Sequence, residues 1–342
     1  MIISHKTYSR IGLLGNPSDG FGGKTIAVQV RDFWTSVTFW ESPRLEIMRH
    51  PVFDPFVFDS LEDLRNIAHE DGYYGGTRLL YASCKHFYDY CQNSNIPLRK
   101  ANFTLQYDTN IPRQVGLGGS SAIVVSTLKC LMDFYGVGEE QIPKPVQPQL
   151  ALAVERDELE IQAGLQDRVA QIYGGMVYMD FDPEHMREHA HGRYEKLPVS
   201  LLPPLYLAYI PYSTVASGRA HNLVRYRYNE GDAEVIAAMK QFAEFAEAGR
   251  EALETGDFNT LGELMDQNFD LRRRIYGDEV IGKRNLEMVE IARSFALPAK
   301  FTGSGGAIVG IFEDEDQLPE VEKAFKERGY YFRRVEPTEE KQ

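Results

Sequence analysis

The chain opens with short apolar runs rich in β-branched and aromatic residues. RIGLLG, TIAVQV and FWTSVTFW each predict a strand. The period then changes. In GGTRLLYASCKHFYDYCQ, Leu79, Leu80, Cys84, Phe87 and Cys91 recur at helical spacing and predict one buried helix face. ANFTLQY returns to alternation, with Phe103, Leu105 and Tyr107 on one side of a predicted strand. A glycine-rich turn, PRQVGLGGSSA, leads into a helix from about Ser120 to Tyr135. PKPVQP breaks the pattern, QLALAVERDELEIQ is again helical, and GGMVYMDF reads as a short strand behind a Gly-Gly turn.

Residues 183–204 are polar and end in prolines, which predicts a loop joining two domains, 1–195 and 196–342. Beyond it come a strand (LYLAYIP), amphipathic helices over 232–255 and 257–275, and another over about 284–295. FTGSGGAIVGIF is a second glycine turn running into a buried strand, and Tyr330–Arg334 reads as an edge strand before a frayed acidic end. Strands and helices mixed in this way predict an α+β chain without internal repeats.

At 342 residues the chain is long enough for two domains with a sizeable core. Its formal net charge is −13 with no long block of lysine or arginine, which argues against a nucleic-acid partner. An anionic small substrate stays compatible, because a local basic pocket can sit within an acidic surface. No apolar run is long enough to span a bilayer, so no membrane partner is expected. Three cysteines imply no disulfide framework, and Cys84 and Cys91 share a helix face as core residues. With no charged leader ahead of an apolar stretch, a cytoplasmic protein, monomeric or homodimeric, is expected. His185, His189 and His191 lack cysteines or ordered carboxylates at ligand spacing, so they predict no metal centre.

The chemistry concentrates in Pro112–Ala122. Gly116, Gly118 and Gly119 allow positive φ and close approach of an anion. Ser120 and Ser121 stand where a helix cap would, beside free N–H groups that favour phosphate. Strand, glycine loop, serines and helix together form a phosphate cradle. Two better-known cradles do not fit. SDGFGGKT at 18–25 misses the G-x-x-x-x-G-K-S/T pattern by one position and runs into a strand, and no G-x-G-x-x-G joins a strand to a helix.

Pro112–Ala122 resembles, with one extra residue, the P-x-x-x-G-L-G-S-S-A loop of the GHMP kinases. Two further signatures follow the family's order: RIGLLGNPSD from Arg10 to Asp19, and KFTGSGGA from Lys300 to Ala307. The resemblance implies a ribosomal-S5-like N-terminal α/β domain, a ferredoxin-like C-terminal domain and a site between them. It implies ATP as donor with Mg²⁺. Pro112, Gly116, Leu117, Gly118, Gly119, Ser120, Ser121 and Ala122 would cradle the nucleotide, buttressed by Gly303, Ser304 and Gly305. Ser120 or Ser121, with Glu155, would hold the metal. Asp167 would act as base or as orienter of the attacking hydroxyl, with Arg10 as its partner.

Asn16, Asp19, Tyr74, Arg113 and Asp167 would meet the acceptor. DGYYGG, AGLQDRVAQ and NFDLRRR further resemble the plant branch of the family that acts on D-glucuronate. This implies phosphorylation of the anomeric hydroxyl of a sugar acid. Branches acting on galacturonate, fucose or a heptose phosphate, and a non-catalytic sugar sensor, are the alternatives. A sugar carboxylate wants an arginine or lysine. Arg113, Arg168, Arg219, Arg225 and Lys24 all lie near the motifs, and sequence does not choose among them. Arg272–Arg274 read as salt-bridged helix surface.

Overall fold

A computed structural model describes residues 1–71, 75–211 and 218–338. The N-terminal half is built on a hairpin of two long antiparallel strands, β1 (Ile2–Leu14) and β2 (Lys24–Ser42). TIAVQV and FWTSVTFW are therefore one strand rather than two. The charged pair Arg31-Asp32 that separates them sits where the register slips between Tyr8↔Trp34 and Ser9↔Val30. Such a bulge bends a strand without ending it.

The 19 residues of β2 are long enough to serve two neighbours on one edge. Thr35–Ser42 pair with β4 (Asn102–Thr109), beyond which β3 (Glu46–Ile47) pairs in parallel. Lys24–Val28 pair with β5 (Met176–Asp180), which pairs in turn with β6 (Arg193–Leu197). Against this sheet lie α2 (Thr77–Asn93), α3 (Gly119–Tyr135) and α5 (Gln166–Tyr173), with α4 (Gln147–Arg156) packed on these helices and α1 (Leu61–Asp71) ahead of α2 in the chain. As alternation predicts, Phe103, Leu105 and Tyr107 are buried, against α2 and α3.

The expected polar loop at 183–204 is structured. Asp182 caps α6 (Pro183–His189), and β6 follows as the last strand of the first sheet. Its polarity reflects an edge position in which Arg193, Glu195 and Lys196 are exposed while only Tyr194 and Leu197 pack inward, a pattern that period-based reading takes for a loop.

The second half carries β7 (Leu205–Tyr209), α7 (Gly218–Asn229), α8 (Ala233–Thr255), α9 (Phe258–Tyr276), α10 (Asp278–Ile281) and α11 (Lys283–Ser294). Then come β8 (Lys300–Phe301), β9 (Ala307–Ile311), α12 (Leu318–Glu327) and β10 (Tyr331–Arg334). Its strands form an antiparallel sheet in the order β10-β7-β9-β8, the ferredoxin-like arrangement. One buried core joins the halves: Ile11 and Val28 of the first sheet cluster with Leu207 and Val309 of the second and with Phe242 and Phe269 between.

The tail is not frayed over its described part. After β10 it crosses back to the first sheet, where Thr338 N–H donates to Gln29 O at 2.9 Å and Arg31 N–H to Glu336 O at 2.7 Å. Among the described residues no helix is long and apolar enough to cross a membrane.

Candidate active site

The glycine loop and α3 begin the site. Gly116 (φ 68°) and Gly118 (φ 74°) adopt the left-handed backbone that favours glycine. Gly118 is the N-cap of α3, and no side chain caps the helix. The expected serine cap is not made, because α3 starts at Gly119 and both serines lie inside its first turn. Ser121 is buried and its hydroxyl donates back to Gly118 O at 3.0 Å, whereas Ser120 is exposed and lines a cavity. The first-turn N–H groups therefore remain available to an anion, at the positive end of a 17-residue helix. Pro112, Gly116, Leu117, Gly118 and Gly119 line the same cavity, while Ala122 is core.

The second glycine turn lies directly behind the first. A Cβ on Gly303 would fall 2.5 Å from Gly116 O, and one on Gly116 would fall 2.8 Å from Gly305 O. Only glycine permits this approach. Thr302 Oγ1 donates to Gly116 O at 3.0 Å, and Gly303 and Ser304 reach the cavity while Gly305 packs beneath. Buried Lys300 ties this turn to the first motif, donating at 2.7 Å to Gly12 O and to Asn16 Oδ1. Asn16 lines the cavity, but that amide oxygen is taken up by the lysine. Burial, with Arg272 and Arg10 nearby, holds the Lys300 ammonium well below the usual lysine range.

Arg10 joins all three motifs. Its Nε donates to Asp167 Oδ1 at 2.6 Å, and its Nη1 donates to Gly116 O at 2.7 Å and Thr302 O at 3.3 Å. With only 4% of its surface exposed, its geometry is locked. Asp167 lies in the first turn of α5, where the helix dipole favours a carboxylate. One turn further along, Gln171 Nε2 donates to Gly118 O at 2.7 Å, so the helix that presents the carboxylate also braces the loop. Motif reading does not single out Gln171; its i, i+4 spacing from Asp167 is the signal in the sequence that could have done so.

Asp19 follows in a short 3-10 turn over Ser18–Phe21, its Oδ2 accepting from Gln166 N–H at 3.3 Å. Burial first, then the nearby Asp167 charge, pushes its carboxyl up to about 6. Glu155 is on α4 as expected, yet it is only 1% exposed and Arg168 Nη2 donates to its Oε2. Arg168 Nη1 donates to Gly164 O at 2.8 Å and lies 3.7 Å from Asp167 Oδ2. Glu155 and Asp167, twelve residues apart, thus meet through one arginine. Burial and the Arg10 charge press the Arg168 guanidinium downward, against the pull of Asp19.

These groups line a cavity of about 510 Å³. Among the described residues six arginines (10, 78, 113, 168, 225 and 272) and three carboxylates (Asp19, Glu155 and Asp167) face it. A protein of net charge −13 therefore holds a local cationic pocket suited to anions. Arg113 Nη2 donates to Phe53 O at 3.0 Å. Arg225 lies over the Phe21 ring, 4.0 Å from its centroid.

Two expectations about cations are corrected. Lys24 is outside the cavity, paired with Glu247. Arg272 is not surface: it is buried, donates to Gly303 O at 2.7 Å, and supports the second glycine turn. Arg273 does pair on the surface, with Asp278 at 2.6 Å. Three arginines in a row point in three directions on a helix, and the sequence does not mark which one faces inward. Tyr74 and its neighbour Tyr73 lie outside the described residues, as does the side chain of Arg219.

Residues 78–175 match the GHMP kinases N terminal domain and residues 250–330 the GHMP kinases C terminal domain. The chain is 49% identical to Glucuronokinase 1 of Arabidopsis thaliana over 96% of its own length and 90% of that protein's. It is 48% identical to Probable glucuronokinase 2 of the same plant, over 98% and 91%. In fold it resembles a crystal structure of Lactococcus lactis galactokinase complexed with galactose, with a TM-score of 0.77 at 17% identity, over 98% of this chain and 93% of that one. The loops, the Arg10–Asp167 pair and these likenesses agree, and the chain belongs to the GHMP kinase family.

Proposed function

We propose that the chain transfers the γ-phosphoryl group of ATP to the anomeric hydroxyl of D-glucuronate, giving glucuronate 1-phosphate and ADP. The acceptor rests on 49% identity, across 96% of the chain, to a protein named glucuronokinase. The cationic cavity supports it, since a sugar acid and a triphosphate are both anions. The expected 195/196 junction falls inside β6 (Arg193–Leu197), a strand of the first sheet, so the division between the two domains is better drawn after Leu197.

Phosphoryl transfer is mainly a matter of placement and electrostatics. The uncapped first turn of α3 presents N–H groups to the phosphates, and Gly303 and Ser304 fix the loop that carries them. Arg10 holds the Asp167 carboxylate by one oxygen, leaving the other to receive or orient the acceptor hydroxyl. Asp19, beside Asp167, accepts hydrogen bonds from sugar hydroxyls. Arg168 keeps Glu155 and Asp167 on one wall.

Ser120 and Glu155, which line the cavity, would offer hard oxygen donors to Mg²⁺, Glu155 through the carboxylate oxygen that Arg168 does not bond. Among the described residues no three His, Cys, Asp or Glu side chains are grouped to hold an ion. Mg²⁺ binds through one or two protein ligands and completes its shell with phosphate and water. When bound it neutralises charge developing on the transferred group.

Labelled ATP with a panel of D-glucuronate, D-galacturonate, L-fucose and a heptose phosphate tests the acceptor. Glucuronate is expected to show the highest kcat/KM. Turnover of fucose or the heptose phosphate with none of glucuronate would overturn the proposal.

A further inference from the structure

Six arginines face the cavity, and most are occupied. Arg10 is held by Asp167 and two carbonyls, Arg168 by Glu155 and Gly164, Arg272 by Gly303, and Arg113 by Phe53. Arg78 has a partner as well. Arg225 differs. Its guanidinium lies over the Phe21 ring, with the centroid 4.0 Å away, and makes no hydrogen bond or ion pair among the described residues. Phe21 packs in turn on Tyr228, at 4.8 Å between ring centroids, so the platform under the guanidinium is itself fixed. A stacked guanidinium keeps its N–H edge free for a planar, bidentate acceptor. The nearby Asp19 carboxylate stabilises its charge without bonding it, so the N–H donors of Arg225 remain available to an anion.

Its place in the cavity selects which anion. A Cβ on Gly20 would fall 2.8 Å from Arg225 Nη2, so the guanidinium rests against the residue that follows Asp19. Asp19 also neighbours Asp167 and accepts from Gln166 N–H. A pyranose held by Asp19 would therefore be within reach of both Asp167 and Arg225. In a hexuronic acid the anomeric carbon and the carboxylate-bearing carbon both flank the ring oxygen, so a sugar that presents its anomeric hydroxyl to Asp167 carries its carboxylate on the same edge of the ring, within reach of a neighbouring cation. The phosphate loop and its braces, by contrast, are on the Arg10 side, where Arg10 bonds Gly116 O.

We infer that Arg225 binds the carboxylate of the sugar-acid acceptor and sets the preference for an acid over a neutral sugar. This rests on the proposed acceptor and adds the residue that recognises it. The assignment is tested with D-glucuronate and its neutral isostere D-glucuronamide, comparing the parent with Arg225→Gln and Arg225→Lys. Removing a charge-assisted bidentate contact lowers kcat/KM for glucuronate on the order of 100-fold in Arg225→Gln, through KM more than kcat, and leaves glucuronamide within about threefold. Arg225→Lys keeps the charge without the fork and loses roughly 10-fold on glucuronate. Melting curves establish that each variant is folded, and Arg225→Lys carries the test if Arg225→Gln is not. A parent without activity on glucuronate overturns the proposed acceptor. An active parent whose Arg225→Gln variant keeps the acid-to-amide preference, or loses both substrates equally, overturns the role of the arginine alone.

Discussion

Replacing Gly303 by alanine tests whether the two glycine turns form one rigid unit. The added Cβ would lie 2.5 Å from Gly116 O and 2.9 Å from Arg10 Nη2. Ordinary contact begins near 3.4 Å, so the turns must separate by about 0.9 Å. Gly116 O is not free to yield alone, because Arg10 Nη1 and Thr302 Oγ1 both donate to it, at 2.7 and 3.0 Å. The loop therefore carries Arg10 with it, and Arg10 carries Asp167. A displacement near 1 Å in a site that works by placement lowers the rate on the order of 100-fold. Overpacking also removes about 1–3 kcal/mol of stability.

The assay is kcat/KM for ATP at saturating sugar, beside a calorimetric melt. Gly231→Ala serves as comparison: its φ is +81°, and an added Cβ would meet no atom within 4 Å. Backbone strain there removes about 1 kcal/mol with no path to the loop, so ATP kinetics stay at the parent level. If Gly303→Ala kept kcat/KM for ATP within about threefold of the parent, the buttress argument from placement would be refuted.

Asp167→Asn removes the proton acceptor and keeps the shape, so kcat is expected to fall roughly 10²–10⁴-fold with nucleotide affinity retained; parent-like turnover would exclude Asp167 as base or orienter. Asp19 gives a pH signature. Its carboxyl is pushed from 3.8 up to about 6, so ionising it is harder in the folded protein and stability is lost as pH rises through that window. Asp19→Asn should therefore raise stability at pH 7.5 by on the order of 2 kcal/mol, a gain that vanishes near pH 4. A melting difference that does not change with pH would contradict this, and sugar turnover should fall at every pH. Thr338→Val removes a hydroxyl that bonds Gln29 Oε1 at 2.8 Å and should lower the urea midpoint by an amount equivalent to about 1–2 kcal/mol. An unchanged midpoint would mean that the Thr338 hydroxyl contributes nothing to the tail's hold, which would then rest on its backbone bonds.

The sequence by itself determined most of the elements, though it split β2 in two and read α6 and β6 as loop, and it determined the order of the three motifs. Phe103, Leu105 and Tyr107 alternate because β4 has one face against helices, and that is a local property of a strand. Glycines at 116 and 118 are legible because left-handed backbone is a local demand. Arg10 and Asp167 pair through a resemblance between motifs, and they meet at 2.6 Å.

What the tertiary structure decided is where side chains from distant segments converge. Only in three dimensions is Arg272 buried among surface arginines, Ser121 turned inward while Ser120 faces the cavity, and Glu155 engaged by Arg168. Only there does the polar segment at 193–197 become a sheet edge and the acidic tail return to Gln29. Periodicity reports which side of an element is buried, because that depends on neighbours in sequence. It carries no information on which remote atom fills the space opposite, and in this protein that decides which arginine is left free for the substrate.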